Sequence, residues 1–352
     1  MAYPYTETGY NMYDMFSLMQ KAIRRGKYEQ AGFAARQLKN TYRGAMWNRL
    51  LVISAEDCYG IITKEILKLR KRDYKQQADE NIGNAIALMC RSLKSRDACY
   101  FACNFVLVSR KPRDVEVSDE EINVIKKETQ FDDSGFQISL FDESNNRQEI
   151  IHAAKLVKAI AHIDCDMAGY FADKLRKEHR ELLWDTLEIN AKNEIKSEII
   201  ALREADEIVN KRKNEKDEIF SSKALVLSMY EKDPSINNMK GCNIINSEDE
   251  IDWRKYCVKK LESCRLENGV IPEWTYDCHT MKGKKAGKTD WEMTINEQCA
   301  LKPKQKCYFD EASWIYTYEE DFKNGIISND EIEEIRKYAS THEANPVNHI
   351  EY

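Results

Sequence analysis

The stretch YDCHTMKGKKAGKT, Tyr276 to Thr289, ends in the Gly-Lys-Thr of a phosphate-binding loop. Such a loop needs G-x-x-x-x-G-K-[ST] behind an apolar strand, so that backbone N–H groups cradle the phosphates and the lysine reaches them. Five residues before Gly287 stands Lys282, and Gly283 is one place too close. The lead-in NGVIPEWTYDCH holds Gly269, Pro272, Trp274 and Tyr276, a turn-rich approach with no buried strand. No apolar strand ending in Asp follows to hold Mg²⁺. Spacing and context both exclude a phosphate loop. The same stretch places His279 two residues after Asp277, which in a tight turn without a neighbouring nucleophile fits a structural hydrogen bond better than acid–base catalysis. His279, Lys282, Lys284, Lys285 and Lys288, flanked by Trp274 and Tyr276, form a basic-aromatic loop. Its cations suit nucleic-acid phosphates and its rings suit a base. The alternative is a solvated basic loop that pairs with an acidic neighbouring module.

Elsewhere the chemistry is sparse. Glu56 and Asp57 are a carboxylate pair, but adjacent side chains on a helix point about 100° apart and do not share a substrate. No H-E-x-x-H, nucleophile elbow, C-x-x-C pair or metal-ligand cluster occurs. The chain reads as a non-enzyme with no catalytic residue, metal or cofactor.

The elements that carry these residues are helical. The 352 residues include only 6 prolines and 13 glycines, with 42 % apolar and 32 % charged side chains, which is the makeup of a globular, mainly helical protein. A net charge of -6 gives no global attraction to DNA or to an anionic membrane, so a nucleic-acid contact requires a local patch. Eleven scattered cysteines, no basic-then-apolar leader and no long apolar run predict a reduced, cytoplasmic protein with no membrane span. Phe16, Met19 and Ile23, then Ala31, Ala35 and Leu38, recur at helical spacing, with Gly26 and Gly44 at the expected helix ends. Two further helices are predicted between Asn81 and Arg110, divided at KSRD.

An internal repeat organises the chain. KAIRRGKYEQAGFAARQLKNTYRGAMWNRLLV from Lys21 aligns without gaps on KAIAHIDCDMAGYFADKLRKEHRELLWDTLEI from Lys158, an offset of 137 (158 minus 21). Ala31-Gly32 meets Ala168-Gly169, and Trp47 meets Trp184. A duplicated helical module accounts for the match, the small Ala-Gly step allowing close helix approach. The expectation is an all-α protein with two related helical modules, residues 1–113 and 149–265. An acidic, mobile linker, 114–148, joins them and holds a short helix at Ser118–Lys127. A C-terminal extension, 266–352, carries the basic loop.

The first module resembles the C-terminal region of the RarA/MgsA family of replication-associated ATPases. The likeness rests on YDMFSLMQKAIRRGKYEQAGFAARQL, on MWNRLLVISAEDCYG with Arg49-Leu50, Ser54 to Asp57 and Gly60, and on Leu93-Lys94-Ser95 with Ala98 and Tyr100. Asp277, His279, Thr280, Gly283, Lys284, Gly287 and Lys288 resemble a tail of divergent, often phage-borne, relatives. The family's ATPase domain has no counterpart here. The resemblance implies a helical collar that oligomerises, without ATP hydrolysis.

One peptide points to a partner. Gln137-Ile138-Ser139-Leu140-Phe141, within FQISLFD in the acidic linker, resembles the pentapeptide by which bacterial polymerases and repair proteins bind the sliding clamp. Leu140 and Phe141 would be paired apolar anchors, and Gln137 a hydrogen-bonding rim residue. The alternative is a strand or loop whose apolar residues fold back onto the core. QKCYF, Gln305 to Phe309, is a degenerate second copy with Tyr308 at an anchor position. The leading expectation is a non-catalytic adaptor of DNA replication or recombination that oligomerises and binds the bacterial sliding clamp. The alternatives are a DNA- or other nucleic-acid-binding protein working through Lys282–Lys288, and an inhibitor that joins the assembly of a host RarA-like ATPase.

Overall fold

A computed structural model describes residues 4–99, 101–102, 115–129, 143–211, 218–233, 261–288, 300–301, 322–323, 325 and 327–341. Among these residues the fold is all-α, and the only β pairing consists of isolated bridges at Tyr5–Asn11 and Cys58–Lys94. The chain forms two compact units. One contains Met1–Tyr100 and Cys242–Tyr352, the other Phe101–Gly241.

The first unit begins with α1 (Met12–Arg24), α2 (Tyr28–Leu38) and α3 (Arg43–Glu56), followed by α4 (Thr63–Gln76) and α5 (Asp79–Arg91). The Asn11 side chain caps α1 by accepting from the N–H groups of Tyr13 and Asp14. Met15, Leu18, Met19, Ala22 and Ile23 are fully buried, at the i, i+3, i+4, i+7, i+8 spacing of one helical face. Gly26, at φ +64°, closes the first helix, as the sequence predicts. Gly44 does not end a helix, because it lies inside the first turn of α3. The C-terminal part of this unit returns across α1 and α2. Ser17 Oγ donates to the Thr275 carbonyl at 2.5 Å, and Arg36 Nη1 donates to the Glu262 carbonyl at 2.9 Å. Gly32 makes room for this return, since a Cβ there would lie 2.4 Å from Cys264 Sγ. The Ala-Gly step of α2 thus admits a turn of the C-terminal segment.

The second unit contains α6 (Asp119–Glu128), α7 (Glu143–Ala161), α8 (Cys165–Glu178), α9 (Arg180–Asn190), α10 (Asn193–Asn210) and α11 (Ile219–Lys232). A capping box, Ser118 with Glu121, starts α6 within the predicted linker. This helix packs on α7 through buried Ile125, and Lys158 Nζ donates to the Glu116 carbonyl at 2.8 Å.

Helix boundaries repeat at the sequence offset. The end of α1 at Arg24 and of α7 at Ala161 are 137 apart, as are the starts of α2 and α8 and of α3 and α9. One polar triad also recurs. In the first unit Asp73 of α4 accepts from Arg43 Nη2 at 2.6 Å and from Trp47 Nε1 at 2.6 Å. In the second, Asp206 of α10 accepts from Arg180 Nε at 3.0 Å and from Trp184 Nε1 at 3.2 Å. The arginines and tryptophans keep the 137 offset, whereas the two aspartates are 133 apart. The connection 57–62 between α3 and α4 shrinks to Ala191–Lys192 between α9 and α10. Asp73 is the eleventh residue of α4 and Asp206 the fourteenth of α10, so the aspartate sits about one helical turn further in and returns to the same face. Truncating either aspartate leaves a buried indole N–H without its acceptor, a loss of about 1–3 kcal/mol, although Arg43 keeps its pairing with Asp79. Asp73→Ala is expected to lower the denaturation midpoint of the first unit, and Asp206→Ala that of the second. Hydrogen exchange resolved by peptide assigns each loss to its unit.

Candidate functional site

The basic loop is built as a closed turn. Asp277 Oδ1 accepts the N–H groups of His279 at 2.9 Å and Thr280 at 3.1 Å, while Asp277 Oδ2 pairs with Lys21 Nζ at 2.5 Å. Lys21 Nζ also donates to the Thr275 carbonyl at 3.1 Å. Burial opposes ionisation of Asp277, but the Lys21 ammonium outweighs it and holds the carboxyl below its ordinary range. The hydrogen bond expected between His279 and Asp277 is present, made by the histidine backbone and not by its ring. Thr280 Oγ1 accepts the Gly283 N–H and caps α12 (Met281–Lys285). A Cβ on Gly283 would lie 1.9 Å from the Asp277 carbonyl oxygen, so only glycine permits this approach. Gly287, at φ +71°, follows that short helix. Both glycines therefore serve the turn.

The side chains of the loop divide into two groups. Lys288 Nζ donates to the Tyr276 carbonyl at 3.0 Å and pairs with Glu273 Oε1 at 3.1 Å, which ties the loop to its own lead-in. Lys282 Nζ stands 4.0 Å from the centre of the Tyr276 ring, and the Arg25 guanidinium stands 4.4 Å from that of Trp274. Each aromatic of the loop already carries a protein cation on one face. His279, Lys282, Lys284 and Lys285 are exposed.

Glu56 and Asp57 do converge, contrary to the helical expectation. Glu56 is the last residue of α3 and Asp57 its C-cap, still in the helical region, and it is the shared arginines that bridge the two carboxylates. Both accept from the same two arginines. Arg24 Nε reaches Asp57 Oδ1 at 2.6 Å and Arg24 Nη2 reaches Glu56 Oε1 at 3.0 Å. Arg96 Nη1 meets Asp57 at 2.6 Å and Glu56 at 2.9 Å. Gln20 Nε2 donates to both carboxylates. Two cations and two anions make the cluster neutral, which is how charges survive burial. The same segment explains Lys94, whose buried ammonium donates to the carbonyls of Met89, Cys90 and Ser92 at the C-terminus of α5. Burial pushes the Lys94 amine below its ordinary range, with Cys58, Cys90 and Asp57 opposing. At the matching positions of the second unit Ala161 replaces Arg24 and Asn193 replaces Glu56, so the cluster has no second copy.

Gln137, Ile138, Ser139, Leu140 and Phe141 lie outside the described residues, as do Gln305 to Phe309. Gln137 to Phe141 fall in sequence between α6 and α7, two helices that pack on each other. Among the described residues no group of three or more His, Cys, Asp or Glu side chains could hold a metal ion, and no helix is long and apolar enough to cross a membrane. A basic helix that the loop overshadowed in the sequence is α4, TKEILKLRKRDYKQ, with six Lys and Arg among its 14 residues. Its signal, KLRKRDYK, was legible as a charge run with an aromatic inside it. No family model, curated protein or solved structure matches the chain.

Proposed function

We propose that the chain is a non-catalytic adaptor of DNA replication or recombination that binds the bacterial sliding clamp through Gln137–Phe141. The observation that carries this reading is the position of the pentapeptide. It lies within residues 129–142, which join two helices in mutual contact, and neighbouring helices need only about two to eight residues between them. A connection longer than its structural task requires is where recognition peptides are found. The acid and base candidates add support, because Glu56, Asp57, Asp277 and Lys94 are each engaged in bonds that hold helix ends and turns. The repeated Arg-Trp-Asp triad and shared helix boundaries favour descent of the two units from one collar-like module. Self-association through that module completes the proposed adaptor.

The test is direct binding of the full chain to a purified bacterial sliding clamp, beside Leu140→Ala/Phe141→Ala. Leu and Phe anchors bury about 2–3 kcal/mol each before ordering costs. The expected result is micromolar or tighter binding that the double variant weakens by about a hundredfold or more. An intact chain that does not bind refutes the proposal.

A further inference from the structure

We propose that the outer face of α4 is a docking surface for single-stranded DNA. Its six basic residues face two acidic ones, Glu65 and Asp73, on a chain whose net charge is -6. Asp73 is buried under Arg43 and Trp47, so it does not offset the charge outside. The inner face carries Ile66, Leu67 and Leu69 into the core against α3 and α5. Lys64, Lys68, Lys71 and Lys75 follow one another at i, i+4, i+7 and i+11. At 100° per residue these four positions occupy a stripe about 60° wide and about 16 Å long, one ammonium per turn. Lys68, Lys71, Arg72 and Lys75 are exposed. Lys68 pairs with Glu65 at 2.6 Å within the helix, which tempers the charge.

Helix stability favours two members of the stripe, Lys75 in the last turn and Lys68 beside Glu65, but not the spacing of the row. Like charges at i, i+4 repel, and Lys64 sits at the N-terminal end, where the helix dipole disfavours a cation. A regular row of cations fits a polyanion of regular repeat. The ring beside the row narrows the choice of polyanion. Tyr74 is 74 % exposed on the flank of the stripe, with the Arg70 guanidinium 5.3 Å from its centre. Trp274 and Tyr276 of the C-terminal loop, by contrast, are half-buried and 6 % exposed. A tyrosine held open beside phosphate-binding cations is a stacking platform for an unpaired base, which a duplex does not present. The choice of DNA over RNA rests on the replication reading above.

The test is fluorescence anisotropy of a labelled 20-nucleotide oligothymidine with the full chain. Binding should weaken with salt at a log–log slope of about -2 to -3, the value for three or four phosphates on a single strand. Lys68→Glu/Lys71→Glu/Lys75→Glu should lose at least about a hundredfold, and Tyr74→Ala roughly tenfold. Lys284→Glu/Lys285→Glu should bind as the parent does. Circular dichroism checks the triple variant, and Lys68→Gln/Lys71→Gln/Lys75→Gln replaces it should charge reversal unfold the helix. The proposal falls if the parent does not bind, if the triple variant binds equally, or if duplex binds as tightly. Full competition by polyglutamate of equal charge would reassign the face to an acidic polypeptide, and tighter binding of oligouridine would overturn the DNA assignment. All α4 variants retain Gln137–Phe141. Clamp binding is therefore read separately, and its failure is distinguishable from failure of the strand test.

Discussion

Asp57→Ala is expected to destabilise the first unit by about 3–5 kcal/mol, the range for removing one partner from a buried ion cluster. Asp57 is fully buried and accepts from Arg24 and Arg96 at 2.6 Å each. Both guanidiniums are nearly as buried, so neither regains water when the carboxylate goes. Glu56 alone would then balance two cations. The loss is that of an orphaned charge, not the net worth of a salt bridge, and replacing the whole cluster by apolar residues of similar volume would cost far less. Asp57→Asn separates charge from shape, and should fall between parent and alanine. Urea denaturation gives the magnitude. Hydrogen exchange should show the loss in α1, α3 and α5 and leave α7 to α11 at parental protection.

The cluster also fixes the direction of the acid response. Burial would raise the Glu56 carboxyl, but Arg96 and Arg24 outweigh it and hold it at about 2, below its ordinary 4.5. Asp57 is shifted the other way, because burial, reinforced by the Glu56 charge, outweighs Arg24. A depressed carboxylate contributes stability that is complete above its unfolded value and disappears as pH falls through its folded value. The Glu56 contribution is therefore lost between about pH 4.5 and 2, whereas the raised Asp57 favours the protonated folded form and offsets part of that loss. Glu56→Gln in the same denaturation series should remove this part of the acid response.

What the sequence made legible divides along physical lines. The apolar face of α1 and the 137 offset were readable because both are periodic, and periodicity survives without knowledge of partners. The end of α7 and the starts of α8 and α9 follow from the same offset. The aspartate of the repeated triad was hidden, since a shorter α9, a shorter connection and a place one turn deeper in α10 leave Asp206 four places out of register with Asp73. Only contact with Trp184 and Arg180 reveals the equivalence. Glu56 and Asp57 were misjudged because the 100° rule separates two side chains but does not prevent long guanidiniums from bridging them. The α4 stripe was present as a charge run. Its meaning depended on knowing that Asp73 points inward and Tyr74 outward, which charge counting cannot supply. The pentapeptide stands apart, because its resemblance rests on residue types at fixed positions, and the flanking helices add only the length of the connection that holds it.

Gly283→Ala is expected to cost the C-terminal turn about 3 kcal/mol, the upper end of ordinary overpacking. The obstruction is backbone. A Cβ at this position would meet the Asp277 carbonyl oxygen at 1.9 Å, its carbon at 2.5 Å and its nitrogen at 2.8 Å, and none of these can swing aside as a side-chain tip would. The Asp277 backbone is pinned from several directions. Its N–H donates to Thr280 Oγ1 at 3.1 Å, its carbonyl accepts from that same hydroxyl at 2.9 Å, and its carboxylate holds Lys21. Relieving the clash therefore opens the turn and releases Lys21, whose ammonium is buried against α1. Two controls dissect the loss. Lys21→Met removes the ion pair while keeping the aliphatic stem, and Thr280→Ala removes the cap while keeping the glycine. If the turn is a single unit, both should raise hydrogen exchange across residues 275–283, and Gly283→Ala should raise it most. Parental exchange in Gly283→Ala would mean that the close approach of Gly283 to Asp277 does not hold the turn. Because α4 packs on α3 and α5, strand binding by the Gly283 variant should remain within about twofold of the parent. That outcome would separate the motif that resembles a phosphate loop from the surface proposed to bind phosphate.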